Sequence, residues 1–563
     1  MGARCFVVIG AASALPVYDL SEHRWGGTET QASVAPLAFL ALLALALGVA
    51  HLVRRRLGHA LPESGAILLV GAAAGGLLVL GGRSAAADKL LGFDAAFFFT
   101  GLLPPIIFNG AYHLHRAYFF ANFFPIALFA VVGTAVSALL VALGVWGACA
   151  AAPAGACGDA TLSLAEALAF GALISATDPV SVLAVFAELR VEPALFYLVF
   201  GESVVNDAVA IVLFETFSKF VGFAFGARAV LIAVADFALV FAGSMALGGA
   251  LGAAMAWALK RLRGGGGGGD DGAERAPQAE LFEVSLFSLL TYLPFLAAET
   301  VELSGIVTTL FAAIAARHYA HANLSGPRAR EAAACVFRVL AFLAESAVFL
   351  YLGLSVFALG YGAHYRATLI AAAAGACLVA RACHVYPIAC LVNRLAEPRA
   401  PDAARLVDGA EPRIPTRTQH MLWFSGLRGA VAFACAANFP NARGHRKDVL
   451  VTTMSVVLVS VFALGGTTVA VLHRLGIARD VELDEQYRPP APGRVVRAIL
   501  RVDEEYLRPW LCCPPPPPPP PPPTRNPARP QAEDPDADAD AERAPAGIEL
   551  ARRRPSLYDF GRA

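Results

Sequence analysis

Thirteen apolar stretches dominate this chain, each near the roughly 20 residues that a helix needs to cross a hydrocarbon core. They fall at about 33–53, 64–82, 93–111, 122–147, 163–187, 195–218, 229–259, 281–300, 303–317, 335–358, 366–392, 420–438 and 448–474. No single water-soluble core absorbs that many. Only helices and closed barrels satisfy their backbone groups in lipid, and stretches of this length read as helices. The expectation is an all-α polytopic membrane protein with about thirteen transmembrane helices. Composition agrees: 16% of residues are charged, against about 25% in an average soluble domain. Forty-four Lys+Arg balance 44 Asp+Glu, so there is no net basic charge to draw nucleic acid. Ten Cys in 563 residues do not make a disulfide scaffold.

Lys and Arg in the loops set orientation. With the start of the first stretch outside, the inner loops hold seventeen, among them Arg54-Arg55-Arg56 and Lys260-Arg261, and the outer loops hold eight. The chain is therefore expected to end in the cytosol. Loop 439–447 runs against the trend. The sequon Asn323-Leu324-Ser325 falls on the cytosolic side and is expected to stay unmodified. Cys149 and Cys157 share an outer loop where a disulfide can form.

Three regions follow: an N-terminal segment 1–32, a transmembrane domain 33–475 and a tail 476–563. Arg4, the apolar run Cys5 to Ala12 and Ala12-Ser13-Ala14 have the pattern of a short signal peptide. The tail carries ten consecutive prolines, Pro514–Pro523, which favour polyproline II and serve as a spacer or a partner-binding stretch. No basic amphipathic helix stands out in it. Gly264 to Gly269 reads as a connector, since no Lys-Ser/Thr follows to make a phosphate loop.

Ionisable groups inside the stretches carry the functional signal, because each is costly in hydrocarbon and needs a partner or a task. Ile174-Ser175-Ala176-Thr177-Asp178-Pro179 places Asp178 at a break, since proline disfavours helical geometry in the residue before it. A break at mid-membrane frees carbonyls and exposes a helix N-terminus, both suited to ions. The plainer alternative is a proline kink with a satisfied carboxylate. Gly201-Glu202-Ser203-Val204-Val205-Asn206-Asp207 puts two acids and an amide into an apolar helix. Residues four apart share a face, pairing Glu202 with Asn206 and Ser203 with Asp207. Arg381 is alone in its stretch and cannot discharge, so it requires a buried carboxylate; Glu202 is the leading candidate. Arg428, in Ser425-Gly426-Leu427-Arg428-Gly429, suggests a second broken helix. Glu299, Glu302 and Glu345 are expected to pair structurally. His318, His321 and His420 are read as interfacial histidines. The letters Gly-Glu-Ser would make a hydrolase elbow only with Gly at 205, which is Val205. No zinc-protease or nucleotide motif is present. An enzyme is not expected, nor a cofactor.

These motifs resemble the sodium/proton exchangers, electroneutral monovalent cation/proton antiporters. The matching segments are LLPPIIFNGAYHLHRAYFFANF (102–123), ISATDPVSVLAVFAELRVEPALFYLVFGESVVNDAVAIVLFE (174–215), ELSGIVTTLFAAIAARHYAHANLS (302–325), FRVLAFLAESAVFLYLGLSVF (337–357) and FSGLRGAVAFA (424–434). Phe108-Asn109 and HYAHANLS resemble the organellar branch more than the plasma-membrane branch. Departures are the Gly110-Ala111 order, the glycine run, the long loop 393–419 and a short tail. The resemblance implies inverted repeats with two broken, crossing helices, a homodimer, and a Golgi, endosomal or vacuolar membrane ahead of the plasma membrane. By motif matching it makes Asp207 the acid that carries transported Na⁺ or K⁺, with Asn206, Asp178, Thr177 and Ser203 around it. Glu202 and Arg381 become the charge-stabilising pair, and Arg428 falls on the second broken helix. One carboxylate that holds either a proton or a cation implies one-for-one exchange. The contrasting readings are a transport-dead scaffold or sensor that signals through the proline-rich tail, and a passive cation channel.

Overall fold

The computed structural model describes residues 28–57, 61–81, 94–114, 116–153, 157, 162–178, 180–223, 226–265, 277–358, 365–395, 414–481 and 494–513. The signal-like segment 1–14, most of the glycine run and the prolines 514–523 lie outside them, as does most of the loop 393–419. Among the described residues every regular element is helical. The main helices, in chain order and leaving aside short turns of helix between them, are α1 (Thr28–Leu57), α2 (Glu63–Leu80), α3 (Leu103–Tyr112), α4 (Thr134–Ala151), α5 (Leu164–Ser175), α6 (Val180–Glu188), α7 (Pro193–Ser218), α8 (Ala227–Gly265), α9 (Pro277–Leu290) and α10 (Leu293–Thr300). Then come α11 (Gly305–Ala315), α12 (Pro327–Ala358), α13 (Ala367–Leu395), α14 (Thr416–Phe424), α15 (Ala430–Ala437), α16 (Arg446–Val459), α17 (Gly466–Arg474), α18 (Arg494–Val502) and α19 (Arg508–Leu511).

Among the described residues, nine of the expected stretches appear as helical segments long and apolar enough to cross a membrane, and the chain is an integral membrane protein. The other four are interrupted or short. Stretch 93–111 passes through a π-helical turn at Phe98–Leu102 before α3. Stretch 303–317 is the eleven-residue α11 followed by another π turn, Ala316–Ala320. Stretches 163–187 and 420–438 are each split into two half-helices, α5 with α6 and α14 with α15.

With lipid outside there is no hydrophobic drive between helices, so close approach of small residues holds them together. A Cβ on Gly71 or Gly75 of α2 would lie 2.5 or 2.6 Å from the Leu350 and Leu354 carbonyl oxygens of α12. A Cβ on Gly353 would meet the Leu68 oxygen at 2.3 Å. These two helices therefore touch backbone to backbone. Leu37, Leu77, Leu80, Leu231 and Leu239 point outward, as lipid-facing side chains do. The helix α7 is sheathed on nearly all sides, and almost every residue from Leu195 to Phe214 is buried.

Cys149 and Cys157 form a disulfide. Asn323 is fully buried, its amide nitrogen donating to the Ala256 and Leu511 carbonyls, both at 2.8 Å. Within the tail, α18 and α19 are helical, and α19 lies against α8 and the π turn that follows α11. The spacer reading concerned the prolines, which lie outside the described residues. Nine residues of helix with Arg497 and Arg501 on one side are too short a signal to stand out beside ten prolines.

Candidate functional site

The two broken helices meet at their breaks. The backbone N–H of Asp178, between α5 and α6, donates to the Leu427 carbonyl between α14 and α15, at 2.9 Å. Each half-helix that ends at the crossing leaves unpaired carbonyls and a partial negative charge, and an arginine meets each one. Arg428 Nη1 donates to the Ser175 carbonyl at 2.9 Å and the Ala176 carbonyl at 3.4 Å, capping α5. Arg381, from α13, donates to the Leu422 carbonyl of α14 through Nε at 3.2 Å and Nη2 at 2.8 Å. Both arginines are buried.

Arg381 also forms a two-point ion pair with Glu202 of α7: Nη1 to Oε1 at 2.5 Å and Nη2 to Oε2 at 3.2 Å. This planar fork is geometry that lysine cannot supply. Arg428 is held at its backbone N–H by Ser460 Oγ, 3.0 Å away.

The opposite ends of the breaks, the starts of α6 and α15, present helix N-termini, which favour negative charge. Asp178 precedes α6 and lies over Gly429, the residue before α15. A Cβ at Gly429 would sit 2.1 Å from Asp178 Oδ2 and 2.2 Å from its Cβ. The bare glycine face thus cradles this carboxylate. At the other glycine of the motif, a Cβ on Gly426 would lie 2.8 Å from Arg381 Nε. The glycines around Arg428 are spaces that Arg381 and Asp178 occupy.

Asp207 lies on α7, and its Oδ1 is shut off from solvent with no hydrogen-bond donor among the described atoms. One turn earlier, Ser203 Oγ donates to the Thr177 carbonyl at 3.0 Å. Asn206 Nδ2 donates to Thr177 Oγ1 at 2.7 Å, and Asn206 Oδ1 accepts from Thr134 Oγ1 at 2.8 Å. The structure thus brings Thr177, Asp178, Ser203 and Asn206 to the crossing, with Asp207 on the adjoining turn of α7 and the Glu202–Arg381 pair bracing it from α13.

The remaining candidates lie elsewhere, apart from Glu345, which is near enough to Asp178 for their charges to interact. Glu299 Oε1 packs over Gly305 at the start of α11, a position that favours an anion. Glu345 is half-buried in α12. His318 Nε2 pairs with Asp503 Oδ2 at 2.6 Å, His321 Nδ1 with Tyr112 Oη at 2.6 Å, and His420 Nδ1 with Tyr386 Oη at 2.9 Å.

Sequence reasoning missed Thr134 and Ser460, single hydroxyls in otherwise apolar stretches that signal nothing alone. It also missed Glu166 and His445. Glu166 closes a capping box with Ser163 at the start of α5 and accepts from or pairs with His445 Nδ1 at 3.0 Å. The Ser-x-x-Glu spacing at 163–166 was a legible signal.

Two half-helix pairs crossing break to break inside a polytopic bundle, with carboxylates at the crossing, define the architecture of a secondary transporter. Residues 39–474 match the family described as sodium/hydrogen exchanger, transmembrane. The chain belongs to the sodium/hydrogen exchanger family. It is 38% identical over 406 residues to sodium/hydrogen exchanger 9 of Homo sapiens, covering 70% of this chain and 58% of that protein. Thus it spans little more than half the length of that relative. Sodium/hydrogen exchanger 8 of Homo sapiens is 33% identical over 82% of this chain and 75% of its own length. Sodium/hydrogen exchanger 5 of Arabidopsis thaliana is 34% identical over 82% and 85%. Among solved structures, the sodium proton antiporter MjNhaP1 from Methanocaldococcus jannaschii superposes with a TM-score of 0.58 at 14% identity, over 79% of this chain and 99% of that one. This likeness bears on the fold.

Proposed function

We propose that the chain is a secondary antiporter that exchanges Na⁺ or K⁺ for H⁺, one for one and without net charge. The observation that carries this reading is Asp207: a carboxylate oxygen walled off from solvent, without a donor of its own, beside the crossing. A bare carboxylate there is costly. A proton or a monovalent cation relieves that cost, and the two exclude each other. Presented alternately to the two sides of the membrane, such a group couples the ions. Thr177 and Asp178 supply further oxygens at the break, and Ser203 and Asn206 hold Thr177 in place. Glu202 with Arg381, and Arg428 with the α5 carbonyls, keep the crossing assembled while Asp207 changes its load. The names of the relatives support Na⁺ and H⁺ as substrates. Energy comes from the ion gradients.

The resemblance to the exchanger family supports a homodimer, and that of Phe108-Asn109 and HYAHANLS to the organellar branch supports a Golgi, endosomal or vacuolar membrane, where exchange would set lumenal and cytosolic pH. In proteoliposomes under an imposed Na⁺ gradient, Asp207→Asn is expected to abolish Na⁺-driven proton movement. Undiminished coupled flux in that variant would sink the reading. Comparing Na⁺, K⁺ and Li⁺ in the same vesicles ranks the cations.

A further inference from the structure

The residue that fixes the geometry of the carrier turn lies on a third helix. Residues Leu128–Gly133 form a π-helical turn immediately before α4. A π turn inserts one extra residue and so rotates everything after it by about 100° relative to an unbroken helix. Such turns sit often at functional sites. Thr134, just after this turn, meets Asn206 of α7, and Ser137, one turn on, meets Ser175 at the end of α5. Ser137 Oγ accepts from Ser175 Oγ at 3.3 Å. Thr134 Oγ1 donates to Asn206 Oδ1 at 2.8 Å, and Asn206 Nδ2 donates to Thr177 Oγ1 at 2.7 Å. Thr134 and Asn206 are 2% exposed and Thr177 is 3%, so water does not compete for these bonds.

We propose that Thr134 is a positioning residue for cation binding. By taking the amide oxygen of Asn206, it turns the amide nitrogen toward Thr177. Thr177 Oγ1, accepting from Asn206, then keeps its remaining lone pair and its own hydrogen for the space beside Asp178 and Asp207. Without the Thr134 hydroxyl, either orientation of the amide leaves one of its ends buried and unpaired, which is unfavourable. The amide then samples both orientations, and Thr177 loses its fixed direction.

This inference rests on the antiport reading, so the experiment keeps the two apart. Full-length protein carrying Thr134→Val, Thr134→Ser or Asp207→Asn is reconstituted beside the unaltered chain, and Na⁺-dependent proton flux is measured at several pH values. Asp207→Asn tests the carrier acid. For Thr134→Val, which keeps the volume, the KM for Na⁺ is expected to rise about threefold to tenfold, the worth of one buried hydrogen bond, with Vmax within about twofold. Thr134→Ser restores the donor and is expected to match the unaltered chain. An unchanged KM in Thr134→Val, or a fall in Vmax that Thr134→Ser does not rescue, overturns the proposal. Should the valine variant fail to fold, Thr134→Cys, a weak donor, takes its place. Na⁺-induced thermal stabilisation must then rank Thr and Ser above Cys, and equal ranking overturns it.

Discussion

Gly429 shows how much a residue without a side chain can decide. The space its Cβ would need is filled by the Asp178 carboxyl, down to the Asp178 Cβ itself at 2.2 Å. A flexible tip can swing aside, but a Cβ moves only with its backbone. Gly429→Ala is therefore expected to lose about 1–3 kcal/mol of stability, as overpacking does, and to lower cation flux by displacing Asp178. Gly249, with nothing within 4 Å of its Cβ position, is the control; there Ala should be neutral or stabilising by up to about 1 kcal/mol. Thermal melts of both variants in the same detergent, with flux measured alongside, check this. At this scale much was legible in the sequence. Charges in hydrocarbon are rare enough that Asp178, Glu202, Asp207, Arg381 and Arg428 stood out one by one, and the Arg381 requirement for a carboxylate pointed to Glu202. A hydroxyl in an apolar stretch carries no such mark. Thr134 resembles valine in bulk, and only its distance to Asn206 reveals it. Nor does a sequence say which neighbour fills the space at a glycine.

Among the elements, the breaks were readable and the tail was not. Asp178-Pro179 and the two glycines about Arg428 announce chain that cannot continue as helix. The docking of this segment depends instead on contacts 184 to 250 residues away in sequence, which no local pattern encodes. Asp503 accepts from Tyr319 Oη at 2.5 Å and pairs with His318, Lys260 Nζ donates to the Pro509 and Trp510 carbonyls at 2.9 Å, and the Cys513 N–H donates to Asn323 Oδ1 at 2.8 Å. Cys512 is buried beneath this clasp, and burial pushes its thiol above the usual cysteine range, so it reacts slowly. Asp503→Ala removes the two-point grip and should free the segment to open locally. Alkylation of Cys512 by a water-soluble maleimide is expected to accelerate about tenfold, the worth of roughly 1.4 kcal/mol of local opening. A rate unchanged from the parent chain would mean that Asp503 does not hold the clasp.

Over the whole molecule, the sorting of charge bears on stoichiometry. Asp178, Glu202 and Asp207 gather about the crossing with Arg381 and Arg428, and Glu345 of α12 is near enough to Asp178 for their charges to interact. Glu202 is matched by Arg381 in a direct pair. Arg428, drawn to the α5 carbonyls, is the second positive charge at the crossing. Asp178, Glu202, Arg381 and Arg428, if all charged, sum to zero. Under the proposed antiport reading, Asp207 loaded with a proton or with Na⁺ would be neutral either way, and both loaded forms would cross the membrane with the same charge. Neither leg of such a cycle would work against the membrane potential, worth about 2.3 kcal/mol per charge at 100 mV. An acid in place of Asn206 would break this symmetry by adding a second proton-holding group. The full-length protein in vesicles adsorbed to a capacitive electrode should produce no sustained current on a Na⁺ jump that visibly drives proton movement. Asn206→Asp, if it transports, should produce one. A steady current from the unaltered chain would contradict one-for-one exchange and assign charge movement to Asp178 or Glu202 as well.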